Sequence, residues 1–402
     1  MTEQNTPELR FPGINDRWES STLNQITSIL KDGTHGTHKD SKEGPWLLSA
    51  KNLKNNKISI KEDDRKISKV DFDRIYKNYN LKRGDLLLSI VGTIGNVAIV
   101  KDPENIAFQR SVAILRMRNE FYNKFFLNLF QTHSFKKKLK RNQVVSAQPG
   151  IYLGDLGKFQ IKFPLNLKEQ NKIGNFFSKL DRQIELEEEK LELLEKQNHS
   201  YINQIFTKQL KFNDDEGNKY PEWITKKLGD IGKVAMNKRI YKNETTESGE
   251  IPFYKIGNFG KSADTFITRE KFNEYKEKYP YPNVGDILIS ASGSIGRTIE
   301  YTGEDAYYQD SNIVWLDHND EVLNKYLKYF YKIVKWAGIE GTTIKRLYNK
   351  NILNTKIELP NIEEQEKIGE FLTKYEELIK KQSSKVELLK QRKQGLLQKM
   401  FV

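Results

Sequence analysis

Apolar residues recur along two segments of this chain at alternating steps of four and three. Ile173, Phe177, Leu180, Ile184, Leu191, Leu194, Tyr201 and Ile205 keep that spacing, broken only by Glu187 and Asn198. Each position returns 195 residues later, as Ile368, Leu372, Tyr375, Ile379, Val386, Leu389, Leu396 and Met400, broken by Gln382 and Lys393. A heptad seam sustained this long predicts two helices, over 166–210 and 361–402, that pair as a coiled coil. The polar breaks suggest a direction and a register. With the helices antiparallel and Glu187 set opposite Lys393, Asn198 falls opposite Gln382 and every remaining layer is apolar, with Leu180 meeting Met400 and Ile184 meeting Leu396. Such polar layers cost stability but specify alignment.

Between the helices the apolar runs are short, rich in Val, Ile and aromatic residues and punctuated by glycine, as strands are. Helical spacing returns at 122–140 and 321–337. The repeat extends into these parts: RGDLLLSIVGTIGN at 83–96 recurs as VGDILISASGSIGR at 284–297, and Gln109 in AFQRS matches Gln309 in AYYQDS. Strands ending at Pro164 and Pro360 lead into the helices, since proline ends a ladder and tolerates a helix start. The fold class expected is α+β: similar globular domains over 1–165 and 211–360, separated by two long helices forming an antiparallel coiled coil, with an internal pseudo-twofold repeat.

Charge sharpens this picture. Lys and Arg number 67 against 54 Asp and Glu, a net +13. Over 166–207 and 361–402 together, acidic and basic residues are equal in number, so the excess belongs to the globular parts. Basic domains suit a polyanionic partner such as nucleic acid, because lysine and arginine displace condensed counterions from phosphates. Zero cysteines exclude disulfides and thiolate metal sites and fit a reducing cytoplasm. The segment MTEQNTPELRFPG has no apolar core, so no export signal is expected. LLLSIVGTIGNVAIV is broken by Ser89, Gly92, Thr93, Gly95 and Asn96, and reads as a buried strand pair with a turn and not as a membrane span.

Catalytic motifs are missing. GNFGKS at 257–262 ends like a phosphate-binding loop, but Lys255 stands where the first glycine is required. No glycine-rich dinucleotide fingerprint, HExxH or methyltransferase Asn/Asp-Pro-Pro-aromatic motif occurs. His35 and His38 lack the neighbouring ligands of a metal site. No catalytic residue and no metal is expected on this chain.

What remains are polar loops on basic domains. DGTHGTHKDSKEG at 32–44 presents Thr34, His35, Thr37 and His38, and its place in the second copy is held by MNKRIYKNETTESGE at 236–250, with Lys238 and Arg239. A second matched loop pair, before the Pro164 and Pro360 strands, carries Gln148 in the first copy and Lys345 with Arg346 in the second. Hydroxyl, imidazole, amide and guanidinium groups are those that meet base edges and phosphates. A DNA-reading protein, a nuclease with an unrecognised site and a coiled-coil nucleic-acid-binding adaptor all fit these loops.

The chain resembles the specificity subunit of Type I restriction-modification systems. The resemblance rests on DGTHGTHK followed by PWLLSAKNL, on GDLLLSIVGTIG and GDILISASGSIG, and on FPLNLKEQNKIGNFF and LPNIEEQEKIGEFL leading into LLEKQ and LLKQRKQGLLQKMF. It implies that each globular unit is a target-recognition domain for one half of a split, asymmetric double-stranded DNA sequence, and that the helices fix the gap. It further implies that the subunit is not itself an enzyme and binds no cofactor. Two methyltransferase subunits using S-adenosylmethionine, and restriction subunits using ATP and magnesium, would join it in the cytoplasm.

Overall fold

The structure, a computed structural model, describes residues 6–144, 149–337 and 346–402. The chain falls into two compact units, one running to Glu189 and joined by Ser383–Val402, the other formed by Lys190–Gln382. Each unit therefore takes one half of each long helix.

In the first unit four antiparallel strands lie in the spatial order Thr27–Asp32, Val112–Met117, Leu86–Ser89 and Val97–Ile99. Side chains of a strand alternate between faces, and both faces here are covered. Leu86, Leu88, Ala113 and Leu115 join the core beneath Phe125, Phe126 and Leu139, while Leu87, Val112 and Ile114 join a second core with Leu48 and Phe108. This explains why LLLS is apolar without alternation. The second unit repeats the sheet with Gly232–Ala235, Ile313–His318, Ile287–Ser290 and Thr298–Glu300. Its Ile287 and Ile289 face one core and Leu288 the other.

The repeated Gly-Asp pair launches each central strand. Gly84 and Gly285 take left-handed backbone, at φ 95° and 94°. The carboxylates of Asp85 and Asp286 then close the turn, accepting from Lys82 N at 2.8 Å and Asn283 N at 2.7 Å. At the far end of the strand, the amides of Asn96 and Arg297 donate to the hydroxyls of Ser89 and Ser290, at 2.8 and 2.9 Å. The strand pair and turn expected for LLLSIVGTIGNVAIV is thus in place. Among the described residues no helix is long and apolar enough to cross a membrane.

Short antiparallel pairs, Glu19–Thr22 with Gln160–Phe163 and Ile224–Lys227 with Lys356–Leu359, feed the long helices Leu167–Phe206 and Ile362–Met400. The Glu-Gln pair at each helix start stitches helix to domain. Gln170 accepts from Tyr122 N at 2.9 Å and donates to Pro164 O at 2.8 Å; Gln365 accepts from Leu323 N and donates to Pro360 O, both at 2.9 Å.

Within each unit the helix halves pack antiparallel. Phe177, Leu180 and Ile184 share a core with Leu389, Leu397, Met400 and Phe401 in the first unit, and Ile202 and Ile205 with Ile368 and Leu372 in the second. The register differs from the expected one. Lys393 pairs with Asp181 at 2.6 Å and Glu187 with Lys385 at 2.5 Å, so Lys393 stands level with Leu180 and Asp181, one heptad from Glu187. Asn198 keeps its side-chain oxygen buried without a hydrogen-bond partner, so Gln382 does not donate to it. A heptad shift keeps seam positions opposite seam positions but sets each polar break against an apolar residue, so polar contacts to groups outside the seam decide the alignment. Near the helix ends Ile202 and Leu397 are buried more deeply than Tyr201 and Leu396, because a helix of 3.6 residues per turn drifts off a seven-residue repeat as it meets the domain.

The opening residues repeat a contact seen after the central helix. Leu9 N donates to Lys399 O at 2.8 Å in the first unit, as Leu210 N donates to Gln204 O at 3.0 Å in the second. The rings of Phe11 and Phe212 then sit edge-on to Phe176 and Phe371. Leu-Arg-Phe at 9–11 and Leu-Lys-Phe at 210–212 play one role.

Candidate nucleic-acid interface

Antiparallel pairing brings chain reversals to one end of each sheet. In the first unit Asp32 lies across from Ala113 and Ser89 from Val112, so the segments 33–44, 90–96 and 109–111 leave from the same edge. Val91 bridges to Gly150, which adds the end of the 144–150 segment. In the second unit the same edge collects 236–250, 291–297, 309–312 and Arg346, the last through its bridge to Ser292. The two loop regions singled out in each copy therefore do converge within their unit.

Inside the first loop the four expected residues divide into two roles. Thr34 is tied to Phe108 and Arg110 through its backbone, and its hydroxyl meets His38 Nε2 at 2.9 Å. His38 is nearly buried beside Asp71, 3.6 Å away. These two shape the loop. His35 and Thr37 are exposed on it, with His35 Nε2 held by Asp32 at 2.6 Å. Gln148 lies outside the described residues.

In the second unit Arg239 donates to Asp310 at 2.8 Å, and that hydrogen bond pushes the guanidinium's pKa further up. Lys238 is exposed with its ammonium 5.1 Å from the Tyr279 ring, and its carbonyl accepts from Tyr307, whose burial raises that hydroxyl's pKa. Arg346 reaches Ser311 O at 2.8 Å. Lys345 lies outside the described residues.

Two exposed cations at these edges escaped the sequence reading: Arg110, whose amide donates to Thr34 O, and Arg297, beside Gly260. The signal for Arg110 was its place after Gln109 in a matched segment, where the second copy has Asp310. The same spot thus offers a cation in one unit and a carboxylate clasping Arg239 in the other. Donors and cations on a rigid sheet edge suit phosphate and base-edge contacts. Among the described residues no group of three or more His, Asp and Glu side chains could hold a metal ion.

Comparison with known proteins follows the same division. The family model for the Type I restriction modification DNA specificity domain matches twice, over residues 15–196 and 220–388. A stretch of 168 residues is 59% identical to a Haemophilus influenzae protein that carries the provisional name of a type I restriction enzyme specificity subunit; the match spans 41% of this chain and only 42% of that relative. The type I restriction enzyme MjaIX specificity subunit of Methanocaldococcus jannaschii is 24% identical over 412 residues, covering 95% of this chain and 92% of its own length. In fold, the chain matches the S subunit of a Type-I restriction-modification system from M. genitalium with a TM-score of 0.58 at 19% identity, over 99% of both chains.

Proposed function

Because this chain belongs to the Type I restriction modification DNA specificity family, matched over both of its units, we propose that it selects the DNA sequence on which a larger complex acts. Each unit reads one half of a two-part duplex target through the loops at its sheet edge. The observation carrying this reading is that two copies of one frame present different chemistry at the same place: His35, Thr37 and Arg110 in one, Lys238, Arg346 and an Arg239–Asp310 pair in the other. Related frames with unlike loops read unlike half-sites.

In this reading the chain performs no covalent chemistry. Two methyltransferase subunits bring S-adenosylmethionine, and restriction subunits bring ATP and magnesium, in the cytoplasm. The basic globular parts provide affinity for the duplex and the loops provide the choice of bases.

Mapping methylated adenines in DNA from cells with and without this chain tests the reading, which expects one split motif to vanish with it. Exchanging residues 15–160 for those of a relative should then alter one half of that motif. Change in both halves, or in neither, counts against one half-site per unit.

A further inference from the structure

Helix His133–Arg141 in the first unit, HSFKKKLKR, has no role in the loops described above. Phe135 and Leu139 are buried under it, and Lys136, Lys137, Lys140 and Arg141 are exposed on one continuous outer face. None of these four has a carboxylate partner within salt-bridge distance among the described residues. No acidic residue occurs between Glu120 and Asp155. Lys138, the fifth cation, donates to Gln160 O, and burial with the nearby Lys162 lowers its pKa.

Basic residues in a last helical turn complement the helix dipole, which accounts for Arg141 and Lys140. It does not account for Lys136 and Lys137. These stand four residues before Lys140 and Arg141, and like charges at that spacing destabilise a helix. The chain thus maintains a self-repelling face that no carboxylate among the described residues offsets.

Its position says what it meets. A Cβ on Gly95 would lie 3.4 Å from Leu139 Cδ1 and 3.9 Å from Lys136 Cγ, so the helix rests against the Gly92–Gly95 turn at the reading edge of the sheet. The second unit starts the same way: Phe130 stacks on Phe135 as Tyr331 stacks on Trp336, and Trp336 lies against Gly296. Beyond Trp336 the sequence reads AGIEGT at 337–342, with no basic residue where the first unit has KKKLKR. Of the lysines earlier in that segment, Lys325 is paired with Glu366 and both Lys328 and Lys332 with Glu376, which leaves Lys335 as a single exposed lysine where the first unit carries four exposed cations.

We propose that Lys136, Lys137, Lys140 and Arg141 form a clamp for the sugar-phosphate backbone of duplex DNA, placed beside the first unit's half-site and without counterpart in the second. The four cations lie along about 8 Å of helix axis, and their long side chains reach beyond it at both ends, which suits several phosphates of one duplex. The clamp is blind to sequence. It rests on the DNA-recognition reading and adds to it an unequal division of labour, with backbone affinity concentrated in the first unit.

The test replaces all four residues by Gln in the full chain, assembled with its methyltransferase subunits, and measures binding of cognate and unrelated duplexes between about 50 and 200 mM salt. The slope of log affinity against log salt should shrink by about 0.9 for each phosphate no longer neutralised, or roughly 3 to 4 in all. Both duplexes should weaken alike, and the methylated motif should stay unchanged. An unaltered slope, or a change in one half of the motif, overturns the clamp. So does loss of a protein subunit from the assembly with DNA binding intact, which would make the face a protein-docking surface. Failure of the unsubstituted assembly to bind duplex DNA instead sinks the DNA-recognition reading itself. Far-ultraviolet circular dichroism of the variant guards against misfolding, and a charge-retaining variant with Arg at Lys136, Lys137 and Lys140 should keep the original slope.

Discussion

Lys393 Nζ lies 2.6 Å from Asp181 Oδ1 and 2.7 Å from Gln131 Oε1. One cation thus joins the C-terminal helix to the central helix and to a helix end of the globular part, within the first unit. Lys393→Met leaves the buried Gln131 oxygen without its donor and Asp181 without its counter-ion, and should cost about 1–3 kcal/mol in urea unfolding. A double-mutant cycle fixes the alignment: Lys393 should couple to Asp181 by at least about 0.5 kcal/mol and to Glu187 by much less. Equal coupling to Glu187 would restore the register expected from the seam.

Glu169 and Glu364 are repeat counterparts, both buried, and each accepts a tryptophan N–H, from Trp18 at 3.3 Å and Trp223 at 2.8 Å. Only Glu169 also has an arginine, Arg10, at 3.0 and 2.7 Å. Arg10→Met strands that carboxylate and should destabilise the first unit by about 3–5 kcal/mol.

Burial raises the pKa of Glu364 above the ordinary carboxylate value. A raised carboxyl binds its proton more tightly when folded, so its contribution to stability increases as pH falls through the folded pKa toward the unfolded one and is absent above it. Glu364→Gln keeps an acceptor for Trp223 and removes the ionisation. The variant should be more stable than the parent at neutral pH, and the difference should shrink on acidification through that window, as thermal melts at a series of pH values would read.

Gly174 and Gly369 are counterparts whose neighbours differ. A Cβ at Gly174 would lie 2.8 Å from the Tyr122 ring, which Asn175 holds through its hydroxyl, and 3.0 Å from Phe125 N; at Gly369 it would meet the aliphatic part of Lys325. Alanine gains up to about 1 kcal/mol in helix propensity, while overpacking costs about 1–3 kcal/mol. Gly174→Ala should therefore destabilise, and Gly369→Ala should destabilise as well but by less, because Lys325 Cγ and Cδ, at 2.5 and 2.6 Å, can leave only by a rotamer change that gives up the ion pair with Glu366. An unchanged denaturant melt for Gly369→Ala would show that this ion pair does not hold the lysine stem in place.

In the first reading loop, His35→Ala and Thr37→Ala should each lower discrimination at one half-site by about 1–3 kcal/mol where they meet a base, with no change in melting temperature. Thr34→Val and His38→Ala should weaken binding and also open the loop to protease, since their side chains hold it together. Protease sensitivity in His35→Ala alone would reverse these roles.

Asp310→Asn releases Arg239 from its ion pair. Arg239 stands in water, which screens the pair, so the fold should be unaffected. Affinity for unrelated duplexes should rise, and the preference for the cognate half-site should fall, in competition binding.

The repeat, the two long helices, the strand pair with its glycine turn and the antiparallel sense of the helix pair are all legible along the chain, because each is written in local periodicity or in residues with one backbone use. Gly84 and Gly285 are needed for positive φ, and Gln170 and Gln365 for bridging helix start to domain, so spacing alone exposes them. The loop residues were legible as regions: His35 and Thr37 stand exposed, whereas Thr34 and His38 turned inward, since no periodicity tells which hydroxyl a folded loop will consume. Helix alignment emerges only in the folded chain. A shift of seven residues still sets seam against seam but leaves each polar break facing an apolar residue, and that cost is offset by Gln131 and Asp181, one of them on an element whose approach to Lys393 no helix pattern records.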